Sequence, residues 1–378
     1  MKIGVVTFWF GDDNYGMIMQ CWALQRYLKS LGHEPFVVKY HPTGNAIKRL
    51  AKLLISTFKD IRQGHSRDDK ALKKYNLEQN KLRDFRTFRQ KQLVFSKMSY
   101  HYIEKLRRFP PVADCYICGS DQIWKAPLRF ANSLGYFLGF GKPDVLRIAY
   151  APSFGMEEYP QNDLPLLRNA LSKFDAISCR EFAGVNFCKK VGYDATKVED
   201  PTLLLDKDDY SELLSCSVKG DYVFIYSLNI VSPEDIYWPE LKQMVGYKEV
   251  IVTPASGYTP SKELFGREVT YKYATPGEWL SLINDANMVV TSSFHGVVFA
   301  ILFNTRFAYV PLKGKYASAN NRIYDLLKSL NLEFAIVRDG KDYERLMDKE
   351  YQWNKVNRAK EELLTNSKAF LDKALSKK

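Results

Sequence analysis

Apolar and polar positions along the chain switch repeatedly between a period of two and a period of 3.6. Lys2–Phe8 reads as a buried strand. After the loop Gly11–Gly16, the segment Tyr15–Leu31 places Ile18, Cys21, Trp22, Leu24 and Leu28 at helical spacing, with Gly32 as the terminator. Pro35–Tyr40 reads as a second strand, so the chain opens as a βαβ unit and predicts a parallel sheet. The alternation returns at Ala113–Cys118 and Arg147–Ala151. A helix at Asp163–Phe174, a strand at Ala176–Cys179 and a helix at Glu181–Val191 follow.

A polar connection, Lys207–Gly220, separates this from a second run of the same kind. Its predicted strands are Asp221–Leu228, Glu249–Pro254, Glu268–Tyr273, Met288–Thr291, Phe307–Pro311 and Phe334–Val337. Its helices are Thr275–Ala286, Phe294–Phe303 and Asn321–Leu330. This order predicts an α/β protein of two doubly wound, Rossmann-like domains facing across a cleft, at residues 1–206 and 221–342, with a charged helical tail at 343–378. The 378 residues are more than one core usually holds, which agrees with two domains.

Charge changes the picture in one place. The net charge is +12, and residues 46–110 alone carry 18 Lys/Arg against 6 Asp/Glu, so the basic character belongs to an insertion in the first domain. Ile47, Leu50, Leu54, Phe58 and Ile61 share one helical face there, and a second helical stretch covers about Lys70–Lys91. A basic amphipathic helix can lie on an anionic membrane, which would put the protein at the inner face of the membrane. The other reading is a helical excursion packed on its own domain. No nucleic-acid reading motif accompanies the charge, so no nucleic-acid partner is expected. Met1-Lys2 runs straight into the first strand and no apolar run reaches the roughly 20 residues a membrane span needs, so a cytoplasmic protein is expected.

Candidate chemistry gathers at strand ends. His295 follows the strand Met288–Thr291 and falls in the first turn of the next helix, where Ser292 or Ser293 can cap. Backbone N–H groups there, Ser293 to Gly296, suit an anion, and an imidazole beside them can transfer protons near neutral pH. Asp121 ends Ala113–Cys118 in the same way, positioned either to orient a sugar hydroxyl or to close a turn. Arg180 directly follows Ala176–Cys179, where its guanidinium suits a phosphate or carboxylate; an ion pair with Glu181 or Asp200 is the alternative. Ser153 sits in the turn after Arg147–Ala151. Asp13, Asn14 and Tyr15 open the first helix and can meet a polar acceptor, and Arg322 adds a cation near a later helix start. Cys115-Tyr-Ile-Cys118 has CxxC spacing but lies in an apolar run without a second pair. Neither a metal-spaced histidine pair nor a Walker-type motif is present, so no metal or other cofactor is expected.

The ordered motifs Asn14-Tyr-Gly16, Gly119-Ser-Asp-Gln-Ile-Trp124, Ala149-Tyr-Ala-Pro-Ser-Phe-Gly155, Arg180-Glu181, Asp200-Pro-Thr-Leu-Leu204 and Ser293-Phe-His-Gly296 together resemble the polysaccharide pyruvyl transferase family. The resemblance spans about Lys2–Leu332. It implies a GT-B-like architecture and transfer of the pyruvyl group of phosphoenolpyruvate onto two sugar hydroxyls as a cyclic ketal. The acceptor would be a sugar, a nucleotide-sugar or a lipid-linked glycan. His295 would be the catalytic histidine, Arg180 the donor-binding arginine and Asp121 the acidic residue after Gly-Ser. One departure stands out: many members carry Arg two residues before the histidine, where this chain has Ser293. Arg322 or the helix terminus would then compensate. Two other functions stay open, a nucleotide-sugar glycosyltransferase of the same architecture and a non-catalytic glycan- or partner-binding protein.

Overall fold

The computed structural model describes residues 1–10, 14–42, 78, 81–215, 220–246, 248–254 and 263–377. The amphipathic stretch around Ile47–Arg62, residues 70–77, 79 and 80 of the second helical stretch, and Asp13 lie outside the described residues.

The chain opens with β1 (Lys2–Val6), α1 (Tyr15–Ser30) and β2 (Glu34–Tyr40). Asn14 starts α1 by accepting the Met17 N–H on its side chain. Then come α2 (Phe85–Gln92), β3 (Phe95–Tyr100), α3 (Ile103–Arg108) and β4 (Cys115–Cys118). The first sheet is completed by β5 (Leu146–Ala149), α4 (Leu164–Leu171), β6 (Ala176–Cys179), α5 (Phe182–Lys190) and β7 (Thr196–Lys197). Its seven strands are all parallel, in the order β3-β2-β1-β4-β5-β6-β7. The order reverses between β1 and β4, the switch point beyond whose carboxyl ends such sheets bind ligands.

The second sheet contains β8 (Tyr222–Tyr226), α6 (Trp238–Val245), β9 (Glu249–Val252), β10 (Thr270–Tyr271), α7 (Pro276–Asn284), β11 (Met288–Thr291), α8 (Phe294–Leu302) and β12 (Phe307–Tyr309). Its five strands are also parallel, ordered β10-β9-β8-β11-β12. After α9 (Asn321–Ser329) and α10 (Asp342–Met347), the long α11 (Trp353–Leu375) closes the chain. The protein is thus two doubly wound Rossmann-like units facing each other.

Two expectations need correction. Residues 46–110 are not wholly a helical insertion, since β3 within them forms the edge of the first sheet. Phe334–Val337 is not a strand: Glu333–Ala335 is a 3-10 turn, and only Ile336 bridges to Tyr309. The charged helical tail packs back on the first sheet through α11, where Ser367 Oγ accepts the Glu199 N–H at 2.9 Å and Phe370 packs near Tyr150.

One apolar cluster runs continuously from α1 through α8 into the second sheet, and another fills the opposite face of the first. α8 is apolar all round and buried along its whole length, as a helix between two layers must be. Trp22, Tyr210 and Phe299 join the units through edge-to-face and tilted ring contacts. Among the described residues, no helix is long and apolar enough to cross a membrane. Cys115 and Cys118 are buried, and burial pushes the Cys118 thiol well above its usual value, the opposite of a reactive thiolate.

Candidate active site

The carboxyl ends of both sheets meet at Asp200, which is wholly buried. Its Oδ1 accepts the Thr202 N–H at 3.1 Å and the Thr202 hydroxyl at 2.8 Å. Its Oδ2 accepts the Ser120 hydroxyl at 2.6 Å and Arg180 Nη1 at 2.7 Å. His295 Nε2 stands 3.6 Å from the same oxygen, an ion-pair distance but long for a hydrogen bond. Burial alone would push the Asp200 carboxyl up. The His295 and Arg180 charges and the Ser120 hydrogen bond overturn this and hold it well below the usual carboxylate range. Asp200 therefore stays ionised and ties Arg180 of the first sheet to His295 of the second.

Arg180 is almost fully buried, and its Nε and Nη2 have no hydrogen-bond partner. Burial would lower its pKa, but Asp200, then Asp121 and Glu181, raise it. Arg322, at the start of α9, also leaves Nε and Nη1 buried and unpartnered. Burial, and next the Arg180 charge, pull its pKa down to about 10. The two guanidinium carbons lie 5.0 and 5.1 Å from the centre of the Phe294 ring. Two guanidiniums with four unpartnered nitrogens thus flank one aromatic ring, and His295 Nε2, without a hydrogen-bond partner, stands beside the carboxylate. Buried donors left without acceptors are costly, and clustered ones mark a place for an anion.

His295 is held from both sides of the cleft. A Cβ at Gly16 would overlap the imidazole at Nδ1, so the ring rests on α1 where only glycine permits it. On its own side, Ser293 caps α8 by accepting the Gly296 N–H at 3.4 Å. Gly296 is in turn required because a Cβ there would strike Thr291 Oγ1.

The loops after β4 and β5 form the wall beside Arg180. Asp121 has φ +79°, a left-handed backbone that aspartate tolerates better than most residues. Its Oδ1 accepts the Gln122 N–H at 2.7 Å and its carbonyl accepts the Ser153 N–H at 2.8 Å. Ser153, Gln122, Gly155, Glu181, Asn321 and Arg322 are among the residues lining a cavity of about 210 Å³. Glu181 anchors this wall by accepting the Phe154 N–H at 2.8 Å, while its Oε2 remains buried and unpartnered.

The profile of the polysaccharide pyruvyl transferase family matches residues 14–313, most of the chain and nearly all of this cluster. The chain belongs to the polysaccharide pyruvyl transferase family. Of the residues around the cleft, Arg322 lies beyond the matched span. A search of curated proteins finds no sequence match. Among solved structures, the chain is similar to a Listeria monocytogenes protein assigned as a UDP-N-acetylglucosamine 2-epimerase. That similarity has 11% identity, 95% of this chain and 91% of the other covered, and a TM-score of 0.51. It is also similar to Arabidopsis thaliana UGT89C1 solved with UDP, at 11% identity, 99% and 98% coverage and a TM-score of 0.51. At such identity these likenesses establish a GT-B-like fold and no more.

Within this pyruvyl transferase family member, the structure brings together His295, Arg180, Arg322, Asp121 and Ser153. It corrects three other expectations. Tyr15 does not face an acceptor: its ring is buried between Trp279, Phe85 and Tyr226, and its hydroxyl donates to the Ala274 carbonyl at 2.5 Å. It belongs to the packing between the units. Ser293 and the Gly296 N–H are engaged with each other as a helix cap, not turned to a ligand. Asn14 is likewise a cap, bonded to Met17 N–H. The hub itself, Asp200, reads in the sequence as an alternative partner for Arg180 and as the head of one of the family-like motifs, without a role of its own. Its signal is the Asp-Pro-Thr turn, where the carboxylate bonds the backbone N–H two residues on.

Proposed function

We propose that this family member transfers the pyruvyl group of phosphoenolpyruvate to two hydroxyls of a sugar in a polysaccharide or its precursor. The observation carrying the proposal is the set of unpartnered buried donors on Arg180 and Arg322 beside His295. Phosphoenolpyruvate has a phosphate and a carboxylate, and two guanidinium forks offer matched donors to such a pair.

In this reading Arg180 and Arg322 hold the donor and Asp200 stabilises the His295 imidazolium. His295 Nε2–H protonates the donor's methylene carbon, C2 becomes electrophilic, and the first sugar oxygen bonds to it. Asp121 takes the hydroxyl proton. The bond from C2 to the phosphate oxygen breaks, the second hydroxyl adds at C2, and the ketal closes. The new methyl group keeps the proton given by His295; of the two hydroxyl protons, one returns to His295 to close the cycle and the other leaves with inorganic phosphate. Because proton transfer by a placed side chain contributes about 10²–10⁴-fold, His295→Ala should lose roughly that much phosphate release from phosphoenolpyruvate with a glycan acceptor. Near-wild-type release in a folded His295→Ala protein would remove the imidazole from the mechanism. Release that requires a nucleotide-sugar donor instead would favour the glycosyltransferase reading.

A further inference from the structure

The carboxyl edge of the first sheet is divided. The charged cluster occupies the ends of β4 to β7, while the ends of β1, β2 and β3 carry rings. Trp9 and Phe10 follow β1, His41 follows β2, and His101 and Tyr102 follow β3. Trp9 forms the floor, buried and fixed by its Nε1–H to the Tyr40 carbonyl at 3.1 Å. Phe10 is 56% exposed, and its ring lies 4.7 Å from the His41 ring at 30°. His101 stands edge-on to His41 with ring centres 4.1 Å apart, and its Nδ1 is buried without a partner. Burial, and next the neighbouring His101, lower the His41 pKa, which keeps that imidazole neutral at physiological pH.

A sugar ring has an apolar C–H face and a rim of hydroxyls. Flat rings that stack on the face, beside an imidazole nitrogen that lacks a partner, match that chemistry. We infer that this aromatic patch is a carbohydrate-stacking subsite for a sugar unit remote from the reacting one, so that the acceptor is an oligosaccharide and not a single sugar. With strands about 4.8 Å apart, a ligand over β2 lies on the order of 10–20 Å along the sheet edge from the ends of β4 to β6. That is the reach of an extended glycan lying across the switch point. The inference rests on the proposed function for the identity of the acceptor, but glycan binding can be measured without any donor.

The test is calorimetric titration with mono-, di- and tetrasaccharides of glucose, galactose, mannose and N-acetylhexosamine, in the absence of phosphoenolpyruvate. Affinity should rise from mono- to tetrasaccharide for at least one series. Phe10→Ala and His101→Ala should each weaken tetrasaccharide binding by roughly 3- to 10-fold, the scale of one lost ring contact. Monosaccharide binding and the thermal shift given by phosphoenolpyruvate should stay unchanged, and Phe10→Tyr should restore the tetrasaccharide affinity. Equal tetrasaccharide affinity in wild type and both alanine variants would overturn the inference, as would the absence of binding by every saccharide. If phosphoenolpyruvate gives no shift while tetrasaccharides still bind through Phe10, the subsite stands and the donor reading falls.

Discussion

Buried arginines stand at opposite ends of the first sheet, and they are partnered in opposite ways. Arg147, in β5, sits at the amino end. Its Nε, Nη1 and Nη2 all donate to carbonyls, those of Leu138, Phe140, Lys142, Pro143 and Val145. Arg180, just after β6, and Arg322 facing it from α9 sit at the carboxyl end with four nitrogens unpartnered. Burial of a guanidinium therefore says little about function. What separates the two regions is whether its donors are matched within the protein. Arg147 is a cross-link that shapes a loop, whereas Arg180 and Arg322 are organised for an acceptor from outside.

The contrast can be sharpened by mutation. The largest effect on stability should come from Asp200→Asn, which leaves the Arg180 and His295 charges without their buried counter-ion. A loss of about 3–5 kcal/mol is expected, read by chemical denaturation near neutral pH. The pH dependence follows from the depressed Asp200 carboxyl. Its contribution is complete above the ordinary carboxylate pKa of about 3.9 and is lost as pH falls toward the lower folded-state value. Asp200→Asn should lack that part of the wild-type acid limb; an unchanged limb would show that the ion cluster does not form.

Arg147→Met should cost somewhat less, roughly 2–4 kcal/mol, because several buried carbonyls lose their donor. Its affinity for phosphoenolpyruvate should stay at the wild-type value once the protein is folded. A matching loss of donor binding would erase the distinction between the two regions. Gly16→Ala should fold normally, since alanine favours a helix, but its methyl must displace the imidazole. Misplacement of a catalytic group by about 1 Å can cost on the order of 100-fold, so phosphate release should fall by that scale with little change in melting temperature.

The same contrast explains what the sequence makes legible. Strand ends are visible in period and composition, and Arg180, Asp121 and His295 follow from them because they stand one, three and four residues beyond buried strands, at the edge where such a fold binds ligands. β3 is hidden because Phe95–Tyr100 is a partly exposed edge strand inside a basic segment, where the apolar alternation is weak. Tyr15 is misread because a residue near a loop and one packed against Trp279 look alike until the second unit is placed. The return of α11 to the first sheet depends on contacts such as Ser367 with Glu199, far apart in sequence and without a periodic signal. Whether an arginine's donors are matched is likewise a property of the folded chain: five carbonyls converge on Arg147, while Arg180 meets Asp200 and keeps Nε and Nη2 unpartnered.

The most direct measurement is calorimetric titration of phosphoenolpyruvate into wild type and Arg322→Met. Methionine replaces a guanidinium whose buried Nε and Nη1 have no partner, so the variant should be at least as stable as wild type. The expected result is clear binding by wild type and at least a tenfold loss in the variant, on the scale of one charge-assisted hydrogen bond. Equal affinity in the two proteins, or no binding by wild type, would contradict the assignment of this cleft to a phosphate- and carboxylate-bearing donor.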